Sequence, residues 1–140
     1  MSEIDKPYIE SRVEDWLVRI ENIYELVKTT LAESSDIEFD TSRQVRMHEE
    51  LMQKYGVPPK NIPILDIKRR GSLLASFKPI GLWVIGAYGR IDILTKGGAF
   101  ILVDVSDKES ESVWKVYTPN NRKDGKPFDA TFINELVISI

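Results

Sequence analysis

Cysteine is absent from the 140 residues, and histidine occurs once, at His48. Without cysteine there are no disulfides, and no thiolate can ligate a metal or attack a substrate. One histidine is too few for the His and Cys sets that hold zinc. Any Ser-His-Asp arrangement would depend on that single side chain. Long apolar runs are missing too: each is interrupted well before it could span a bilayer. The stretch from Met1 to Tyr8 is polar and acidic and lacks the apolar centre of a secretory signal. These absences lead to the expectation of a soluble, cytoplasmic protein with no cofactor and no membrane association.

What is present suits one domain over residues 1–140. Apolar residues make up 42% and charged residues 29%, ordinary values for a chain that buries its own core. The net charge of −3 conceals a segregation. Residues 1–40 carry eleven acidic and four basic side chains, a net of −7, whereas residues 41–100 carry ten basic and four acidic ones, a net of +6. Two such segments either pair with each other or offer a charged partner a surface. Internal pairing is the simpler expectation.

Periodicity divides the chain. From Tyr8 to Ala32, apolar residues at Ile9, Val13, Trp16, Leu17, Ile20, Ile23, Tyr24, Val27 and Leu31 recur in steps of three and four, predicting an amphipathic helix. Asp5 and Pro7 give it a start signal. Residues 33–40 are polar and read as a loop. Val45, His48, Leu51, Met52 and Tyr55 share a helical face. With Thr41 and Gln44 at capping-box spacing, they predict a second helix over 42–55, stopped by Gly56, Pro58 and Pro59. Beyond it the period becomes that of strands: short ones at 64–67 and 73–77, stronger ones at 82–85, 91–95 and 99–105, and another at 113–117. Lys96-Gly97-Gly98 marks a hairpin turn. Residues 119–127 read as a loop, after which Asp129 caps a short helix with Phe128 and Ile133 as a hydrophobic staple. Helices followed by tightly connected strands predict an α+β fold: two N-terminal helices, an antiparallel meander of four to five strands, and a short C-terminal helix.

Three constellations carry functional expectations. The first helix, within an arm spanning residues 1–34, presents Trp16, Ile20, Tyr24 and Val27 beside an acidic face. Aromatic anchors with a charged rim suit a protein partner or a homodimer. The leading expectation is therefore a non-catalytic interaction or regulatory module acting through that helix. The alternative is nucleic-acid binding: Lys68, Arg69 and Arg70 form a compact basic turn, and Arg90 belongs to the same positive segment, as phosphate contacts require.

The third constellation is the stretch Gly89-Arg90-Ile91-Asp92-Ile93-Leu94 followed by Ala99 to Ser106. It resembles the central hairpin of the PD-(D/E)xK nuclease superfamily, in which an aspartate is followed, after a gap, by an acidic residue, any residue and lysine. The resemblance covers residues 89–106. It implies Asp92 and Asp104 as ligands of a hard divalent cation. The sequence departs from the pattern at Ser106, which stands where the lysine belongs, with Lys108 two positions further on. Read as an ordinary hairpin, Asp92 and Asp104 are polar positions between apolar neighbours. His48, at the edge of an apolar helical face, reads as structural, and no complete catalytic set is apparent.

Overall fold

The computed structural model describes residues 4–83, 87–106 and 110–139. Its architecture is α+β: one long helix, a seven-stranded antiparallel sheet, a separate two-stranded ribbon, a short helix and a C-terminal helix. Helix α1 runs Lys6–Thr30. Asp5 caps it, its carboxylate accepting the Tyr8 amide at 2.9 Å, and Pro7 sits in the first turn, where an amide has no helical partner to lose. The three-four stripe is the buried face: Ile9, Val13, Trp16, Ile20, Ile23, Tyr24 and Val27 all lie in the core.

After α1 the chain forms β1 (Ile37–Asp40), β2 (Gln44–Met47), α2 (Glu50–Lys54) and β3 (Lys60–Pro63). Six strands then follow in sequence: β4 (Leu65–Arg69), β5 (Ser72–Gly81), β6 (Gly89–Thr95), β7 (Gly98–Asp104), β8 (Trp114–Thr118) and β9 (Asn121–Pro127). They pair in that order as a meander, and β1 adds to the free edge of β4. Helix α3 (Ala130–Ser139) closes the chain. The Asp129 carboxylate accepts the Phe132 amide at 2.9 Å, with Phe128 and Ile133 both buried beside it.

Register separates the two faces of the sheet. Pro79, Ile91, Leu102 and Val116 oppose one another across four strands and are buried, as is the row through Leu65, Phe77 and Ile93. This face receives α1 and α3. Trp16 lies 6.0 Å from Trp114, ring centre to ring centre, the Tyr24 hydroxyl donates to the Pro63 carbonyl at 2.6 Å, and Phe132 of α3 meets Phe100 edge-on at 5.8 Å. Each fully buried Phe, Ile or Leu contributes roughly 1.5–3 kcal/mol. The opposite face carries the row Lys78, Asp92, Ile101 and Tyr117, partly or fully open to solvent.

Four expectations are corrected. The predicted helix over 42–55 is a strand followed by one helical turn. Val45 opposes Ile62 and Met47 opposes Lys60, because the Pro58-Pro59 segment turns the chain back and lets β3 satisfy the β2 backbone. Residues 37–40 are a strand rather than loop, as are 121–127, so the sheet has seven strands instead of four or five. The strand expected at 82–85 does not begin at Leu82: β5 ends at Gly81, Leu82 and Trp83 bend away, and residues 84–86 lie outside the described residues.

Candidate functional site

The side chains expected to bind a partner through α1 are used by the fold itself. Trp16 and Val27 are 0% exposed, Ile20 2% and Tyr24 6%. The carbon edge of the Trp16 ring presses on Gly89, where even an alanine Cβ would collide with it. An apolar helical stripe reads the same in sequence whether it meets a partner or its own sheet; here it meets the sheet. Burial raises the Tyr24 pKa above the ordinary phenol value.

The basic set is split. Arg70 is exposed at the β4–β5 turn, where its φ of 51° and that of Gly71, 80°, give the mirror-image turn favoured in two-residue hairpins. Lys68 is paired with Asp40 at 3.0 Å, Arg69 with Asp36 at 3.4 Å and Arg90 with Asp92 at 2.7 Å. Arg90 lies opposite Gly81, at the far end of the ten-residue β5 from the turn, a separation of about 30 Å for an extended strand. The acidic and basic segments therefore do meet, through Asp36 and Asp40 in and beside β1, while Glu10, Glu14, Glu21 and Glu25 on the outside of α1 stay exposed.

The hairpin aspartates do not converge. Asp92 opposes Ile101 and Asp104 opposes Gly89, so the pleat turns the two carboxylates to opposite faces of the sheet. Each is held by an arginine, Asp92 by Arg90 and Asp104 by Arg19. The pair cannot close on one ion, and among the described residues no three His, Asp or Glu side chains gather in a metal-binding group. Lys108 lies outside the described residues.

A concavity of about 570 Å³ lies between β2 and the end of β5 and is lined in part by His48, Glu49, Arg46 and Lys78. The Glu49 carboxylate accepts the amides of Leu82 and Trp83 at 2.9 and 3.2 Å. His48 Nε2 lies 3.2 Å from the Val57 carbonyl oxygen. Both side chains thus hold backbone. No hydroxyl lines the cleft among the described residues.

Chemistry concentrates instead where α1 crosses the end of β6 and β7. Arg19 is only 5% exposed. Its Nε donates to Asp15 at 2.9 Å, Nη1 to Asp104 at 2.7 Å and to Ser106 Oγ at 2.6 Å, and Nη2 to the Ser110 carbonyl at 2.8 Å. Asp104, fully buried, also accepts the Ser106 amide and hydroxyl and the Val113 amide. Burial pushes its carboxyl up, but the hydrogen bonds from Ser106, Arg19 and Val113 outweigh it and hold the pKa below the usual value. Burial also opposes the charge of Arg19, and Asp104 and Asp15 more than restore it. Tyr88 closes the cluster: its hydroxyl donates to Asp15 at 2.6 Å, and burial together with that carboxylate pushes the phenol up to about 12.

On this cluster lies a more open group. The Arg12 guanidinium rests 4.5 Å from the Tyr88 ring centre and 5.5 Å from that of Trp83, with Arg12 and Trp83 half-buried. Sequence reasoning passed over Arg12 and Arg19. One signal was present: Arg19 falls three residues after Trp16 and four before Ile23, within the stripe that must be buried, and an arginine there requires a buried carboxylate partner.

Among the described residues no helix is long and apolar enough to cross a membrane. Comparison with known proteins finds no matching family model, no matching curated protein and no matching solved structure.

Proposed function

We propose that this protein is a non-catalytic, cytoplasmic interaction module that binds a protein partner or a second copy of itself, and that its contact surface is the shelf formed by Arg12 and Trp83, with Arg12 resting on the buried Tyr88 ring, rather than the core stripe of α1. The observation that carries the reading is the half-buried Arg12 guanidinium lying on two aromatic rings. Arginine, tryptophan and tyrosine dominate the energetics of protein interfaces, since each offers a large contact area at modest cost in side-chain freedom. Cation–π contact holds the guanidinium in place before any partner arrives.

The test compares wild-type protein with Trp83→Ala. Sedimentation velocity reports self-association, and affinity capture from native cells, with and without nuclease, reports partners. The expected result is that Trp83→Ala loses the nuclease-resistant partner, or the dimer, while its circular dichroism is unchanged. Retention of every partner and of the same sedimentation behaviour would sink the proposal. Partners that vanish with nuclease would point to the alternative, nucleic acid.

A further inference from the structure

Two arginines, two helical turns apart on α1, meet the same tyrosine and differ in their partners. Arg19, 4.1 Å from the Tyr88 ring centre, is bonded to two carboxylates, Asp15 and Asp104. Arg12, 4.5 Å from the same centre, is bonded to none among the described residues. Its Nη1 makes a 3.4 Å hydrogen bond to the Tyr8 hydroxyl, and its Nε is buried with no partner at all. A guanidinium stacked on aromatic rings leaves its in-plane edge for a carboxylate, whose two oxygens match the guanidinium fork. The Nε–H is closed off from solvent, so a partner's carboxylate would meet the Nη end of this half-buried side chain.

We propose that Arg12 is the receptor for one carboxylate delivered by a protein partner, an Asp or Glu side chain on a segment whose neighbouring apolar group covers Trp83. This rests on the reading of the shelf as an interaction surface. A protein segment suits the site better than a nucleic-acid strand. A strand needs a row of cations to follow its phosphates. The next arginine along this side of α1 is Arg19, which is buried and already neutralised, and the outside of the helix carries exposed Glu10, Glu14, Glu21 and Glu25. A single cation matches a single carboxylate, while the surrounding glutamates oppose a strand that brings a phosphate with every nucleotide.

The experiment selects peptides from a displayed random twelve-residue library on the intact protein and measures the synthesised peptides by fluorescence anisotropy. The proteins compared are wild type, Arg12→Gln, Arg12→Lys and Trp83→Ala, each first shown by circular dichroism and thermal melting to be folded. The expected result is that the selected peptides share an Asp or Glu and bind Arg12→Gln at least tenfold more weakly. Changing that peptide residue to Asn or Gln should cause the same loss in wild type and no further loss in Arg12→Gln. Arg12→Lys, which keeps charge without the fork, should fall between. Peptides that lose binding with Trp83→Ala but not with Arg12→Gln would overturn the carboxylate proposal and leave the shelf standing. Peptides indifferent to Trp83→Ala, or no selected peptide at all, would remove both. A twelve-nucleotide oligothymidine that binds wild type and not Arg12→Gln would make the occupant nucleic acid and overturn the proposal.

Discussion

Two clusters in this molecule are built from the same three residue types, and they sit on opposite faces of the sheet. Arg19, Asp104 and Ser106 lie on the face covered by α1. Arg43, Asp66 and Ser76 lie on the other. In both, arginine pairs with a buried aspartate at 2.7 Å, and a serine hydroxyl donates to the same carboxylate. Arg43 grips Asp66 with both Nε and Nη2, at 2.8 and 2.7 Å. The difference is in the arginines: the Arg19 side chain is 6% exposed and that of Arg43 56%. Water can replace Arg43 and cannot readily replace Arg19. A buried ion pair with one member removed leaves a stranded charge, whereas an open pair exchanges one solvation for another. Arg19 is thus the pin that fixes α1 to the end of β7 and to Ser106 and Ser110 beyond it, and Arg43 is a clasp on the open face.

The largest expected effect breaks the buried cluster. Arg19→Met should cost about 3–5 kcal/mol in urea unfolding, because Asp104 stays buried without its cation. A loss near that of a surface substitution would mean that solvent reaches Asp104 and that the two clusters are alike. Adding Asp104→Leu to Arg19→Met sharpens the point: the double variant should be more stable than Arg19→Met alone, since it removes the stranded charge.

Arg43→Met should cost less, about 1–2 kcal/mol, because water can occupy the vacated side of Asp66 while Ser76 still donates to it. Equal losses from Arg19→Met and Arg43→Met would erase the distinction.

Acid should act on both clusters. The Arg43 and Ser76 hydrogen bonds hold the Asp66 carboxyl below its usual value against the effect of burial, and Asp104 is depressed likewise. A carboxylate depressed in the folded state stabilises fully above its unfolded pKa, roughly 3.9 for aspartate, and loses that contribution as pH falls through the folded value. Melting temperature should therefore be level above about pH 5 and fall steadily below pH 4. The fall should be shallower in Asp66→Asn. An unchanged slope in that variant would remove Asp66 from the explanation.

The smallest effect is expected at the rim of the buried cluster. Tyr88→Phe removes the hydroxyl that donates to Asp15 while leaving the Arg19–Asp15 pair and the ring beneath Arg12, and should cost about 1 kcal/mol. A much larger loss in thermal melting would mean that Asp15 depends on the phenol more than on Arg19.

Much of the fold was legible from local pattern. The stripe of α1, the Asp5 and Asp129 caps, the staple of Phe128 and Ile133, and the strands β5 to β8 each have a signature within a few residues. The misreadings are as specific. Val45, His48, Leu51 and Met52 satisfy helical spacing, yet β2 forms because β3 lies beside it. Strand β9, Asn-Arg-Lys-Asp-Gly-Lys-Pro, has no apolar residue with which to announce itself; it is held by backbone pairing to β8, and its charges and proline suit an edge that must not recruit another strand. At the site, Arg12, Arg19, Tyr88 and Asp104 lie up to 92 positions apart in sequence, and no local pattern joins them.

The sequence by itself determined the caps, the apolar faces, the absence of thiol chemistry and the segregation of charge, all of which depend on a residue and its near neighbours. Only the tertiary structure decided what those faces and charges meet: that the aromatic stripe of α1 packs on its own sheet, that Asp92 and Asp104 point apart, that Asp36 and Asp40 answer the basic turn, and that of two arginines on Tyr88 one is satisfied and one is not. Burial and pairing are relations between distant residues, set by strand register and by where the helix crosses the sheet.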